Sequence, residues 1–177
     1  MHKGHFLIAS LIASVFLLNS CDKDDVRAGS GSSNYFSYDG KTYNLDKGFL
    51  EYYGDNENGS YDFDVFLVSD SINYSIPDEE YFGVGNVVIL DLNTSSARGL
   101  DEGTYKFSNE RDTFSLVDGL VGIKVDAYTE EGEELVEIAA GEVDVSISGN
   151  NTTLDFDLTT TTNKRVRGKF IKELTRI

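Results

Sequence analysis

The sequence predicts an all-β domain, and three observations lead to it. Behind residue 33 no stretch sustains helical apolar spacing, apolar residues alternate at period two instead, and turn residues break the alternation every several positions. With a single proline, Pro77, and several hairpin signals, the pattern fits an antiparallel meander over residues 34–177. Both a β-sandwich and a small up-and-down barrel satisfy it.

Tyr38-Asp39-Gly40-Lys41 reads as a two-residue hairpin, because Asp-Gly tolerates the positive φ angles of a type I′ turn. Counting outward sets Phe36 opposite Tyr43 and Asn34 opposite Leu45 on one face. Ser37 opposite Thr42 and Tyr35 opposite Asn44 fall on the other. The strand from Tyr61 to Ser69 turns Tyr61, Phe63, Val65 and Leu67 inward. Between Asn86 and Leu92 the run Val87-Val88-Ile89-Leu90 is apolar at successive positions, which predicts a central strand covered on both faces. Gly103 to Phe107 forms a further strand, and Leu120 to Tyr128 sets Val121, Ile123, Val125 and Ala127 on one side.

In the last third, Val136, Ile138 and Ala140 occupy even positions while Val143, Val145 and Ile147 occupy odd ones. The inward phase therefore slips by one residue around Gly141, which predicts a β-bulge or a bend. Gly149-Asn150-Asn151-Thr152 then closes a hairpin that pairs Ile147 with Leu154, Val145 with Phe156 and Val143 with Leu158. Leu158 opposes Val166 across Thr161-Thr162-Asn163, bringing Gly168 and Phe170 to the inner face. On the other face Asp157 meets Arg167 and Asp155 meets Lys169, each pair contributing roughly 0.2–1 kcal/mol.

Ahead of this domain, residues 1–20 carry His2, Lys3 and His5, an apolar run from Phe6 to Leu18, then Asn19 and Ser20. That is the layout of a secretory signal peptide. The run is shorter than the ~20 residues a membrane-spanning helix needs. Leu18-Asn19-Ser20-Cys21 resembles the lipobox of bacterial lipoproteins, which implies cleavage between Ser20 and Cys21 and a diacylglyceryl group on the Cys21 sulfur. Cys21 is the only cysteine, so no intramolecular disulfide competes for it. With ~0.8 kcal/mol per buried CH₂, two or three acyl chains hold a protein firmly to a membrane where one holds only marginally. Residues 21–33 then form a lipidated flexible tether, ending in Ala28-Gly29-Ser30-Gly31-Ser32-Ser33. Its acidic cluster, Asp22, Lys23, Asp24 and Asp25, resembles the export signal of surface lipoproteins in the Bacteroidetes and implies an outer membrane location facing the cell surface. In other bacteria an aspartate beside the cysteine favours inner-membrane retention, so the leaflet stays open.

The opening Phe36-Ser37-Tyr38-Asp39-Gly40-Lys41-Thr42-Tyr43, the Gly103-Thr104-Tyr105 strand entry and the closing Arg167-Gly168-Lys169-Phe170 resemble small cell-envelope lipoproteins of the Bacteroidetes with lipocalin-like or sandwich domains. The resemblance implies location and fold, and no reaction.

Composition excludes several functions. With 31 Asp and Glu against 15 Lys and Arg, the net charge is −16, and removing residues 1–20 takes away one lysine and no acid. That field repels phosphate backbones, so nucleic acid is excluded as a partner. Both histidines lie in the leader and the one cysteine is acylated, which leaves no imidazole or free thiol for triad catalysis or for the usual zinc and copper sites. Ser-x-x-Lys occurs only as Ser20 with Lys23, across the cut, and there is no glycine-rich phosphate loop. No catalytic residue, cofactor or metal is assigned, and no enzyme is expected.

Asp55-Asn56-Glu57-Asn58-Gly59 looks like a calcium loop, but its glycine stands at position five where an EF-hand needs it at six, and it reads as a solvated hairpin loop. The acids from Thr129 to Glu134 read as water-facing charge at a hairpin tip. Tyr35, Tyr38, Tyr43, Tyr52, Tyr53 and Tyr61 crowd the first half, and tyrosine serves sugar rings and protein partners as well as strand packing. Of these, Tyr35, Tyr38, Tyr52 and Tyr53 are the candidate binding face. The basic run Lys164, Arg165, Arg167, Lys169, Lys172 and Arg176 reads as the complement of Glu142, Asp144, Asp155 and Asp157. The expected function is a non-catalytic binding or interaction module of the cell envelope, held to the membrane by its lipid, with a glycan or an envelope protein as partner. Two other readings are a lipocalin-like carrier with a small apolar ligand inside its barrel, and a structural subunit of a surface assembly. The oligomeric state is left open.

Overall fold

The structure, a computed structural model, describes residues 33–177; the expected signal peptide, Cys21, the Asp22–Asp25 cluster and the tether up to Ser32 lie outside the described residues. The described chain is all-β. Its strands are β1 (Tyr35–Tyr38), β2 (Lys41–Asn44), β3 (Lys47–Asp55), β4 (Tyr61–Val68), β5 (Asn73–Ser75), β6 (Glu80–Phe82), β7 (Val84–Thr94), β8 (Gly103–Phe107), β9 (Ser115–Asp126), β10 (Glu134–Ser148), β11 (Asn151–Thr160), β12 (Arg165–Lys172) and β13 (Thr175–Arg176). Eleven of them form one sheet in the order β13-β3-β4-β7-β9-β8-β10-β11-β12-β1-β2, and β5 with β6 makes a separate hairpin.

The large sheet curls into a half-barrel. Gly48 of β3 and Phe170 of β12 stand near opposite ends of the strand order, yet a Cβ at Gly48 would lie 2.8 Å from the Phe170 ring. The sheet is mixed, which corrects the expected antiparallel meander. β8 runs parallel to β9 (Lys106↔Ser115) and β13 parallel to β3 (Thr175↔Phe49). The reason is topological: residues 108–114 carry the chain back from the end of β8 so that β9 starts in the same direction beside it, and after β12 the chain crosses to the far end of the strand order, where β13 runs alongside β3.

Local chemistry accounts for most of the register. Asp39 (φ 49°) and Gly40 (φ 72°) make the turn, and Phe36 faces Tyr43 with their rings stacked 5.0 Å apart. The phase slip in β10 is a bulge between Ile138 and Ala140. Gly141 beside it has φ 123°, and a Cβ there would lie 2.3 Å from the Asp157 carbonyl oxygen, so only glycine fits. The following hairpin differs from expectation. Its turn is the two-residue Gly149-Asn150, so Ser148 pairs with Asn151 and the partners are Ile147↔Thr152, Val145↔Leu154 and Val143↔Phe156. The shift is two residues, which preserves the faces. Leu158↔Val166, Asp157↔Arg167 and Asp155↔Lys169 stand as expected. Arg165 also reaches Asp157 through two donors, while Lys164 turns to Asp39 and Glu134. In β9 the alternation fails at Lys124 (φ 50°): Val121 and Ile123 point into the curl, but Val125 and Ala127 pack on the other side.

The space inside the curl is filled by side chains. Phe36, Phe63, Leu90, Tyr105, Phe156 and Phe170 are fully buried there, with contributions from most strands of the sheet. Gly168 marks how tight this packing is, since a Cβ would lie 2.2 Å from the Phe156 ring and 2.6 Å from the Tyr35 carbonyl oxygen. Gly168→Ala is expected to destabilise the domain by about 1–3 kcal/mol through overpacking. Urea unfolding measures it, with Lys169→Ala as the near-neutral neighbour.

Candidate binding site

The outer face of β3, β4, β7 and β9 is built as rows, because residues two apart on a strand share a face and neighbouring strands hold them in register. One row is Phe49–Phe66–Ile89–Leu120, each paired directly with the next. Two residues along, the row is Glu51–Asp64–Asp91–Asp118, again in direct register across all four strands. Two residues the other way, Val68 pairs with Val87 and Val87 with Gly122. The face is therefore greasy at one end and acidic at the other.

The β5–β6 hairpin lies over the apolar end. Its Tyr81 ring sits 4.8 Å from Phe66 and 5.5 Å from Phe49, and Tyr74 packs 4.9 Å from Tyr81. Lys47 pins the start of this segment, donating to the Ile72 carbonyl at 3.1 Å and the Asn73 side-chain oxygen at 2.7 Å. Beside the hairpin remains a cavity of about 260 Å³, lined by Phe66, Val68, Ile72, Tyr81, Val87, Ile89, Leu120, Val125 and Ala127, with Glu130 and Leu135. The Tyr81 hydroxyl is buried without a hydrogen-bond partner. Burial raises its pKa, and Glu51, Tyr74, Tyr53 and Asp64 push it further in the same direction, so it stays a proton donor.

The acidic end is electrostatically loaded. Burial pushes Asp64 up to about 7, helped by Asp91, Asp62 and Glu51 and opposed by Arg111. Asp91 is raised by burial and by its neighbour Asp62. Carboxylate oxygens of Asp62, Asp64 and Asp91 lie within 4.8 Å of one another, an arrangement that hard cations use. Here the cation at hand is Arg111, which donates to Asp62 and, at 2.8 Å, to Asp91. Its loop is held by the Asp55–Gly59 hairpin: the Asn58 amide and the Ser60 hydroxyl both donate to the Arg111 carbonyl, at 2.9 and 2.6 Å. The loop that resembled a calcium site thus positions an arginine. A second hollow, of about 190 Å³, opens among Asp64, Asp91, Asp118 and Glu137 and shares Ile89 and Leu120 with the apolar cavity.

The four tyrosines singled out from sequence do not come together as a face. Tyr38 is buried in the core with the Lys164 ammonium 5.1 Å from its ring centre, and Tyr35, three residues earlier on the same strand, points to the opposite side. Tyr52 packs at 5.1 Å on Phe63, at the rim of the curl. Tyr53 is 59% exposed; burial first, then Glu51 and Asp64, raise its hydroxyl. The carrier reading expects its ligand inside the barrel, whereas the apolar cavity lies outside the curl. Sequence reasoning passed over the carboxylate row because Glu51, Asp64, Asp91 and Asp118 are scattered in the chain and meet only through long-range register. Compared with family models, curated proteins and solved structures, the chain matches none.

Asp64 yields a signed prediction. With its folded pKa raised, the native state keeps a proton that the unfolded chain has already released. That contribution is complete below about pH 4 and is lost as the pH rises through 7. Asp64→Asn is expected to be more stable than the parent by about 1–3 kcal/mol at pH near 8 and equal to it at pH near 4. Urea midpoints at the two pH values measure the difference, and an equal change at both would contradict it.

Proposed function

We propose that the chain is the water-facing domain of a lipid-anchored envelope protein, that it acts as a non-catalytic binding module, and that it binds at the cavity between the β5–β6 hairpin and the outer face of the sheet. One observation carries the binding site: a cavity of about 260 Å³ whose lining is apolar apart from Glu130 and one buried, unpartnered tyrosine hydroxyl. Small-molecule sites share that character, concave and greasy with few polar groups placed to orient the guest. A small apolar molecule suits this lining better than a glycan, whose hydroxyls need many close partners. The half-barrel is read as an incompletely closed relative of lipocalin-like barrels, with the guest carried on the outside of the curl.

The signal peptide and the anchor on Cys21, with the Ala28–Ser33 stretch as a spacer, support placement in the cell envelope. The acidic Asp22–Asp25 cluster favours the surface-facing side of the outer membrane. The net negative charge would hold the domain off anionic lipid, leaving it displayed at the end of its tether.

Mass spectrometry of the natural protein tests both halves. Denaturing conditions are expected to give a chain that begins at Cys21 and carries covalent acyl groups, and native conditions a non-covalent small molecule on the domain. Ala127→Leu fills the cavity; it is expected to lose that molecule while gaining about 0.5–2 kcal/mol of stability. A free Cys21 thiol would overturn the anchor, and a guest retained undiminished by the Leu variant would overturn the site.

A further inference from the structure

We infer that the guest is a small cationic amphiphile, an organic ammonium or guanidinium with an apolar tail; the inference rests on the cavity reading above and adds the charge of the head. The geometry that carries it is the junction of two hollows on one face. The apolar cavity and the acidic hollow share Ile89 and Leu120, so a molecule lying along β7 passes from one into the other without leaving the surface. The change of character takes one step of two residues, from Ile89 to Asp91 and from Leu120 to Asp118, which on a strand is about 7 Å. That is the length of a short alkyl spacer.

Charge decides the head. Asp64, Asp91, Asp118 and Glu137 line the acidic hollow, and like charges placed directly across strands are destabilising. Arg111 relieves part of this, binding Asp62 and Asp91. Among the described residues no lysine or arginine forms an ion pair with Asp64, Asp118 or Glu137. A second cation placed beside Arg111 would complete the pairing that the protein leaves half made. The Tyr81 hydroxyl, buried without a partner in the lining of the apolar cavity, can donate to an acceptor oxygen that a cationic head also carries. A carboxylate head meets four acids, and a neutral head leaves them unpaired.

Calorimetric titration of hexylamine, hexan-1-ol and hexanoate into the full-length protein in zwitterionic nanodiscs, with empty nanodiscs as blank, separates the possibilities at a pH near 8. Hexylamine is expected to bind at least about tenfold tighter than hexan-1-ol, the worth of one charge-assisted contact, with hexanoate weakest. In Asp64→Asn/Asp118→Asn/Glu137→Gln, which leaves only Asp91, already paired with Arg111, the amine should fall to the affinity of the alcohol while the alcohol is unchanged, which also shows that the variant is folded. Equal binding of amine and alcohol by the parent, or an amine preference that survives the triple substitution, overturns the cationic head and leaves the cavity standing. If none of the three compounds binds, the cavity reading falls and this inference with it.

Discussion

Strand β7 is buried on both faces, and the rest of the architecture answers that constraint. Val88, Leu90 and Leu92 enter the space inside the curl, while Val87 and Ile89 pack on the opposite side. Side chains on a strand alternate, so an apolar run of this kind is satisfied only by two separate coverings. Each of these side chains contributes roughly 1.5–3 kcal/mol when removed from water, enough to drive both coverings. The curl provides the first, using β1, β11 and β12 from the far end of the strand order. The β5–β6 hairpin and its aromatic residues provide the second.

The two coverings are unequal. Inside the curl, packing is tight enough that a single added carbon at Gly168 would collide with the Phe156 ring. Outside, two strands of three residues each must cover a face four strands wide, and they leave a cavity. Next to the cavity the sheet aligns four carboxylates in one row and sets one arginine against them. A row of like charges reduces stability, and its position beside an apolar hollow is the local conflict on which the proposed binding site draws.

Much of this fold was legible from residues close together in the chain. Asp39-Gly40 announced the first hairpin, the Val87 to Leu90 run announced the central strand, and the change of phase near Gly141 announced the bulge. Each is a local signal with a local cause. The turn at Gly149-Asn150 was misjudged by two residues because a glycine followed by two asparagines allows both a two-residue and a four-residue loop. What the sequence concealed depends on partners far away. Asp64 meets Asp91 through the pairing of β4 with β7 across the intervening β5–β6 segment, and Val125 leaves the inner face because Lys124 adopts a left-handed backbone conformation. The tyrosines misled for a related reason: composition shows how many there are, but strand parity sends Tyr35 and Tyr38 to opposite sides.

The central claim is that one sheet is covered twice, fully on the inside and incompletely on the outside. Xenon settles in dry apolar cavities and reports their position directly. In a crystal of the protein held under xenon gas, density is expected beneath the β5–β6 hairpin, among Phe66, Val87, Leu120 and Val125. Xenon found inside the curl between Phe63 and Phe156, or none on the outer face, would contradict the account.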